Sequence, residues 1–310
     1  MQTIAPGLTY TDLKFQGHAR VIATAVVQNP EGVALVDPGP STSLDTLRGA
    51  LAEHGITAAD LRWLLLTHIH LDHAGVVGLL VRENPEITVY VHERGAPHMV
   101  EPSKLLASAT RLYGDDMDRL WGEFLPVPRA NVHALSGGEL VEAAGRVFEV
   151  ASIPGHASHH VGYLDRSSGV AFVGDTAGIR TGRDLFAMPP TPPPDIDVET
   201  WIQSVELIRR WEPSTLFVTH FGPHEDPQEH LDVFLEHLSV MTEMVRKNLD
   251  GERKEDDRIR AFVDKMRVYL QRHLPAAEAA LYDHAAPLTQ CWLGLARYWR
   301  KRGVGTGGLR

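Results

Sequence analysis

The chain holds one cysteine in 310 residues, Cys291, which excludes an intrachain disulfide framework and suits a reducing compartment. No stretch approaches the roughly 20 consecutive apolar residues that cross a bilayer. Residues 1–7 lack the basic region and apolar run of a secretory signal. These absences predict a cytoplasmic protein with no membrane partner. Positive charge is in deficit: 30 Lys and Arg stand against 40 Asp and Glu, a net charge of −10. That balance argues against nucleic acid as an obligatory partner, since phosphate binding draws on basic patches, and leaves a small-molecule substrate, small phosphoesters included. Apolar residues are plentiful, 43% of the chain and enough for a sizeable core, and so is histidine, with 17 residues.

Three of those histidines fall within six residues. Residues 64–67, Leu-Leu-Leu-Thr, read as a strand that delivers His68-Ile69-His70-Leu71-Asp72-His73, and residues 76–81 read as a helix start. On a strand, His68 and His70 point the same way, so both imidazoles can reach one ion. Asp72 and His73 follow where the chain turns and can approach a second ion beside it. A hard carboxylate with imidazoles and no thiolate suits Zn²⁺ best, with Fe or Mn as alternatives.

Residues 8–37 read as antiparallel strands around the turn Asn29-Pro30-Glu31-Gly32, and residues 41–54 as a helix with Leu44, Leu47 and Leu51 at helical spacing. Residues 87–92 return as a strand, which completes a β-α-β pattern. Residues 94–124 are helical and of mixed character, and residues 131–175 alternate like a second β meander. The prolines of 189–194 impose a stiff loop, beside an apolar segment, 185–188, that can wall the site. A helix over 200–211 and a strand over 215–219 follow. From residue 228 three helical segments are expected, the second over 259–273 and the third over 276–301. Their apolar faces fit a cover over the pocket or a homodimer contact equally.

The pattern His68-x-His70-x-Asp72-His73 is joined in order by Asp37 in Val36-Asp37-Pro38-Gly39, His156 in Pro154-Gly155-His156, Asp175 in Gly174-Asp175-Thr176 and His220 in Thr219-His220-Phe221-Gly222. Together these segments, over about residues 15–225, resemble the metallo-β-lactamase superfamily. The resemblance implies an α/β fold, the αββα sandwich of two facing sheets with helices outside and metal at one edge, extended here by C-terminal helices. Residues 1–225 would form the catalytic domain, with 94–124 as an insertion over the substrate, 226–302 the helical region and 303–310 a disordered tail. It implies two Zn²⁺ ions, one held by His68, His70 and His156, the other by Asp72, His73 and His220, with Asp175 bridging. Asp72 and Asp175 would be catalytic, through a water shared by the ions whose pKa falls to roughly 7. Asp37 would support the metal loop through hydrogen bonds, and His160 matches a supporting histidine of the lactonases.

Departures narrow the branch. True β-lactamases lack an aspartate ligand where Asp175 stands, and flavodiiron proteins place a glutamate where His70 stands. Glyoxalase II is similar in ligand set and helical C-terminus, yet its basic and tyrosine glutathione contacts are not matched. Acyl-homoserine-lactone lactonases share the look of Pro154-Gly155-His156-Ala157-Ser158-His159-His160. Candidate substrate contacts or proton donors near the motifs are His159, Tyr163, Arg180, Phe186 and His224. The expected function is hydrolysis of a carboxylic ester, lactone or thioester. Phosphodiester or phosphotriester hydrolysis is the alternative for the same site, and a metal-stabilised binding protein without turnover is the alternative of another class.

Overall fold

The computed structural model describes residues 1–182 and 184–305. A seven-stranded sheet contains β1 (Gln2–Ala5), β2 (Leu8–Asp12), β3 (Ala23–Asn29), β4 (Gly32–Val36), β5 (Leu61–Leu65), β6 (Thr88–His92) and β7 (Val132–Leu135), in spatial order. Strands β1 to β4 pair antiparallel, and β4 to β7 parallel. The parallel half needs crossovers, and helices supply them: α1 (Leu44–Ala52) before β5, α2 (Leu71–Ala74) and α3 (Val77–Glu83) before β6, then α4 (Ala96–Val100), α5 (Ser103–Tyr113) and α6 (Met117–Leu120) before β7.

The second sheet comprises β8 (Leu140–Ala143), β9 (Arg146–Ser152), β10 (Val161–Asp165), β11 (Val170–Phe172), β12 (Thr215–Val218) and β13 (Gly222–His224). Its one parallel pair, β11 with β12, is connected through α7 (Val198–Arg210). Four further helices, α8 (Pro227–Asn248), α9 (Glu255–His273), α10 (Ala276–Ala285) and α11 (Leu288–Lys301), follow β13.

Side-chain alternation explains the layers. In β4, Val33 and Leu35 face helices while Ala34 and Val36 face the other sheet; in β12, Leu216 and Val218 face helices while Phe217 points inward. Strands buried on both faces carry continuous apolar runs, as residues 33–36 and 216–218 do. The sheets meet over a core that includes Tyr10, Val27, Phe148, Tyr163, Phe172 and Phe217. Helices α8 to α11 share one continuous core with the outer face of the second sheet, through Phe234, Met241, Phe262 and Trp292. Their main apolar faces are therefore occupied within the chain.

The sequence reading and the structure differ in four places. The metal strand ends at Leu65 rather than Thr67, because the Thr67 amide donates to Asp37 Oδ1 at 2.8 Å instead of continuing the ladder. The strand at 132–135 belongs to the first sheet, parallel to β6, rather than to a second meander. The helix expected over 276–301 is broken at Ala286 and Pro287, since proline disfavours helical backbone in the residue before it. The insertion 94–124 is three short helices; Gly114, at φ 55°, ends α5. Of the tail expected at 303–310, residues 306–310 lie outside the described residues.

Candidate metal centre and its cavity

The candidate ligands come from loops at one edge of the sandwich, each following a strand. Asp37 follows β4, the histidine cluster β5, His156 β9, Asp175 β11 and His220 β12. Two glycines make the loops fit. Gly155 has φ 140°, and a Cβ there would lie 2.3 Å from the Trp201 Cβ. Gly174 has φ 46°, and its Cβ would meet Thr67 Oγ1 at 2.4 Å and His160 Nε2 at 2.8 Å. Only glycine lets the Asp175 loop lie this close to the histidine loop.

The side chains then converge in two groups. His70 Nδ1 lies 3.0 Å from His68 Nε2 and 2.9 Å from His156 Nε2. Asp72 Oδ2 lies 3.3 Å from His220 Nε2 and 3.7 Å from His73 Nε2. Asp175 stands between the groups. Its Oδ2 is 3.3 Å from His156 Nε2, and its Oδ1 is 3.3 Å from His73 Nε2 and 3.5 Å from His220 Nε2. One carboxylate thus presents one oxygen to each group.

Hydrogen bonds on the far side of each ring set the tautomers. Nδ1–H donates to Pro190 O from His156 at 2.8 Å, to Val21 O from His220 at 2.7 Å and to Asp37 Oδ2 from His73 at 2.8 Å. Thr67 Oγ1 gives its proton to Asp37 Oδ2, so it accepts from His68 Nδ1–H at 3.1 Å. All four rings therefore turn Nε2 toward the centre, where it offers a lone pair once the ring is neutral. His160 donates Nδ1–H to Val161 O, accepts the Asp175 amide at Nε2 at 3.2 Å, and stacks on His68. It fixes the loop that carries Asp175.

These residues fit divalent metal. His73 Nε2 and Asp175 Oδ1 are buried without a hydrogen-bond partner, an arrangement that costs free energy unless something else satisfies them. The charge balance points the same way. Burial, reinforced by neighbouring histidines, pushes His68 well below the ordinary histidine range and His70 down to about 4. Burial opposes charge on His73 as well, but Asp175, Asp72 and Asp37 outweigh it and hold its pKa well above the usual value. Asp175 stays well below the ordinary carboxylate range: burial raises it, and His73, His220 and His156 more than offset that. His68 and His70 are thus held neutral and Asp175 ionised, the forms that bind metal, while on His73 a cation would take the place of the proton that the surrounding carboxylates favour.

The centre opens into a cavity of about 820 Å³ to which His70, Asp72, His156, Asp175 and His220 contribute. Pro190 and Pro192–Asp195 form one wall, fixed to α11 through Thr191 Oγ1 donating to Cys291 O at 3.0 Å. Insertion helix α5 forms another, and α11 contributes Gln290, Cys291 and Arg297. The C-terminal helices therefore help cover the pocket, and Cys291, buried in the core, also lies at its wall.

Four substrate-contact candidates from the sequence are placed elsewhere. Tyr163 is buried between the sheets and donates to Leu66 O at 2.9 Å. Arg180 pairs with Asp226 at 2.6 Å beneath α8, and His224 packs tilted against His230 beside it. Phe186 packs against His237 and Tyr282, and none of segment 185–188 is among the described residues lining the cavity. His159 does line it; its Nδ1 is buried without a partner, and burial with the neighbouring His70 pushes its pKa to about 3. The residue missed by sequence reasoning is Tyr113, at the end of α5. Its ring meets Trp121 edge-on at 5.0 Å, and its hydroxyl faces the Gln290 side chain. The signal for it was only its place beside the apolar stripe Leu105, Ala109 and Leu112.

Comparison with known proteins agrees with this architecture. A metallo-beta-lactamase family protein of Thermus thermophilus superposes over 97% of this chain and 95% of its own, with a TM-score of 0.70 at 22% identity. A metallo-beta-lactamase fold-containing protein of Sulfurisphaera tokodaii is 27% identical over 165 residues, 52% of this chain, and the match spans 61% of that relative's length. A hydroxyacylglutathione hydrolase of Xanthomonas campestris pv. campestris is 28% identical over 264 residues, 84% of this chain and 86% of that protein. The family described as the metallo-beta-lactamase superfamily matches residues 19–220, the span that holds every converging histidine and aspartate named above, and the chain belongs to that superfamily.

Proposed function

We propose that this protein is a dinuclear zinc hydrolase that cleaves a carboxylic ester, lactone or thioester. The observation that carries the reading is Asp175, whose two oxygens face the two histidine groups at 3.3 Å. His68, His70 and His156 would hold one ion, Asp72, His73 and His220 the other, and Asp175 would join them; iron or manganese suits the same donors less well. Divalent ions here would supply Lewis acidity, polarising the substrate oxygen and lowering the pKa of water toward roughly 7. The similarity to hydroxyacylglutathione hydrolases, over 84% of this chain in one case, favours acyl over phosphoryl substrates. A free, buried Cys291 supports a cytoplasmic setting, and no helix among the described residues is long and apolar enough to cross a membrane.

The chain's own residues do the positioning. Asp72 is the more exposed of the two central carboxylates, so it can accept a proton from the attacking water and pass it on. Burial, with Asp72 and Asp175 nearby, drives the Tyr113 phenol well above its usual pKa, so it keeps its proton and can donate a hydrogen bond to the substrate. The apolar cavity walls restrict water around the reacting carbonyl. A purely structural zinc site is closed around protein ligands, whereas these ligands border a cavity.

The test is metal content together with turnover of p-nitrophenyl acetate, a homoserine lactone, S-lactoylglutathione, bis-p-nitrophenyl phosphate and a phosphotriester. Two zinc per chain and a preference for an acyl substrate support the reading. Preference for phosphorus would move the assignment to the phosphoesterases. Full activity in Asp175→Ala or His70→Ala would overturn it.

A further inference from the structure

Helix α5 is loosely committed to the core. None of its 11 residues is fully buried, although Leu105, Leu106, Ala109, Leu112 and Tyr113 lie on it half-buried. Two neighbouring stripes of this helix line the cavity. Leu105, Ala109 and Leu112 recur at spacings of four and three; Lys104, Ser108 and Arg111 do the same one position earlier. Such spacings stack side chains along one side of a helix. An apolar stripe and a cationic stripe therefore run side by side for roughly 10 Å along one wall, at 1.5 Å per residue.

Two more cations join them, Arg94 from the segment before α4 and Arg297 from α11. In a chain of net charge −10, four cations border one cavity. Among the described residues none of the four has a carboxylate within ion-pair distance; Arg297 Nε donates only to Pro194 O, at 3.2 Å. The cavity's carboxylates, Asp72, Asp175 and Asp195, come from the ligand loops and the proline segment, so the wall formed by α5 carries cations alone and raises the positive potential along it. The half-buried leucines beside them gain from being covered.

We infer that the substrate is an amphiphilic anion: an ester or thioester whose carbonyl sits at the histidine–aspartate centre and whose chain runs along the stripe of Leu105, Ala109 and Leu112 to a terminal carboxylate or phosphate held by a cation of the neighbouring stripe, Lys104 or Arg111. This rests on the acyl-hydrolase reading and adds what the substrate carries at its far end. A phosphodiester carries its charge at the reacting group, whereas Lys104 and Arg111 stand on the insertion helix and not on the loops that carry the candidate ligands.

The experiment compares p-nitrophenyl octanoate with mono-p-nitrophenyl suberate, which exchanges the terminal methyl for a carboxylate, and with the ester ending in phosphate. The zinc-loaded wild type should prefer a charged end by roughly tenfold or more in kcat/KM, expressed in KM. The larger of the two preferences assigns carboxylate or phosphate. The ratio between charged and methyl-ended esters should collapse toward one in the double variant K104Q/R111Q and shrink at raised ionic strength. Damage to the fold would lower both esters and leave that ratio alone. Equal wild-type rates, or a preference that survives in the double variant, overturn the inference. If no ester is turned over, the hydrolase reading fails separately, and calorimetric binding of the corresponding p-nitroanilides decides: tighter binding of the charged anilide, lost in K104Q/R111Q, upholds the inference, and equal binding ends it.

Discussion

Replacing Asp37 by Asn should weaken one half of the centre while leaving the other. Asp37 is fully buried and accepts four hydrogen bonds: Thr67 N at 2.8 Å on Oδ1, and Thr67 Oγ1, Thr219 Oγ1 and His73 Nδ1 at 2.7, 2.7 and 2.8 Å on Oδ2. Its backbone is left-handed, at φ 49°, which Asn tolerates, so the substitution changes chemistry and not conformation. An amide offers one oxygen. With that oxygen toward Thr67 N–H, the new NH₂ faces three donors; the hydroxyls can rotate, but His73 must move its proton to Nε2 to become an acceptor. That proton then points at Asp72 and Asp175, where a lone pair is needed. Losing hydrogen bonds to a charged group costs about 1.5–3 kcal/mol each, and with partial relaxation the metal-free protein should lose roughly 3–5 kcal/mol, the range for breaking a buried ionic contact. Supporting residues of this kind are worth roughly 10–100-fold in metal affinity. Zinc titration with a competing chelator should therefore show two sites in the wild type and one weakened by that factor in Asp37→Asn, with the midpoint of urea unfolding lowered. Two sites of unchanged affinity in a well-folded variant would refute the reasoning.

Three further outcomes follow from the same geometry. Tyr113→Phe should keep full metal content and lower kcat/KM by about tenfold, the worth of one hydrogen bond made to the reacting group; unchanged kinetics would remove Tyr113 from the site. Gly155→Ala should cost about 2–4 kcal/mol in urea unfolding, because its φ is 140° and its Cβ would meet Trp201 at 2.3 Å; a change under about 0.5 kcal/mol would mean the loop shifts freely. His230 is buried with its pKa pushed to about 4 by desolvation. The native state therefore binds fewer protons than the unfolded chain between about pH 6.5 and 4, and a penalty builds up as pH falls through that window, reaching about 2 kcal/mol at pH 5 and completing below pH 4. Unfolding of metal-free His230→Gln should show a shallower acid slope than wild type, and an identical slope would contradict the placement of that ring.

The legible part of this chain is what local spacing encodes. His68, His70, Asp72 and His73 announce themselves within six residues, and the apolar runs at 33–36 and 216–218 read as buried strands because both faces of each are covered. The sheet to which a strand belongs is not local: residues 132–135 look the same whether they join β6 or β8, and only the crossover through α4 to α6 settles it. Proximity in sequence to a motif also misled. Arg180 and Phe186 follow Asp175 closely, yet the chain turns them under α8 and α10, where Asp226 and Tyr282 take them up. Tyr113, Lys104 and Arg111 stand far from every motif and reach the cavity because α5 folds back over it. Boundaries shifted where a side chain competed with the backbone, as Asp37 does for the Thr67 amide.

That competition explains why the site lies where it does. Asp37 on the first sheet accepts from Thr219 on the second, the Thr219 carbonyl accepts the Ala23 amide at 2.8 Å, and the Thr67 carbonyl accepts the Val161 amide at 2.8 Å. His220 adds Nδ1–H to Val21 O at 2.7 Å. The loops that present the candidate ligands are thus the same loops that stitch the sheets together along one edge. Their polar groups are buried, so each bond must be made for the sheets to close at all. Orientation of His73 and His220 is consequently a by-product of sheet docking rather than of metal binding, and the imidazoles are aimed before any ion arrives. A preformed, anionic centre of this kind holds its ligands in place at the expense of repulsion among Asp72, Asp175 and their surroundings. Bound cations relieve that repulsion, so ions that bind only the folded chain should stabilise the seam between the sheets in proportion to the logarithm of their concentration.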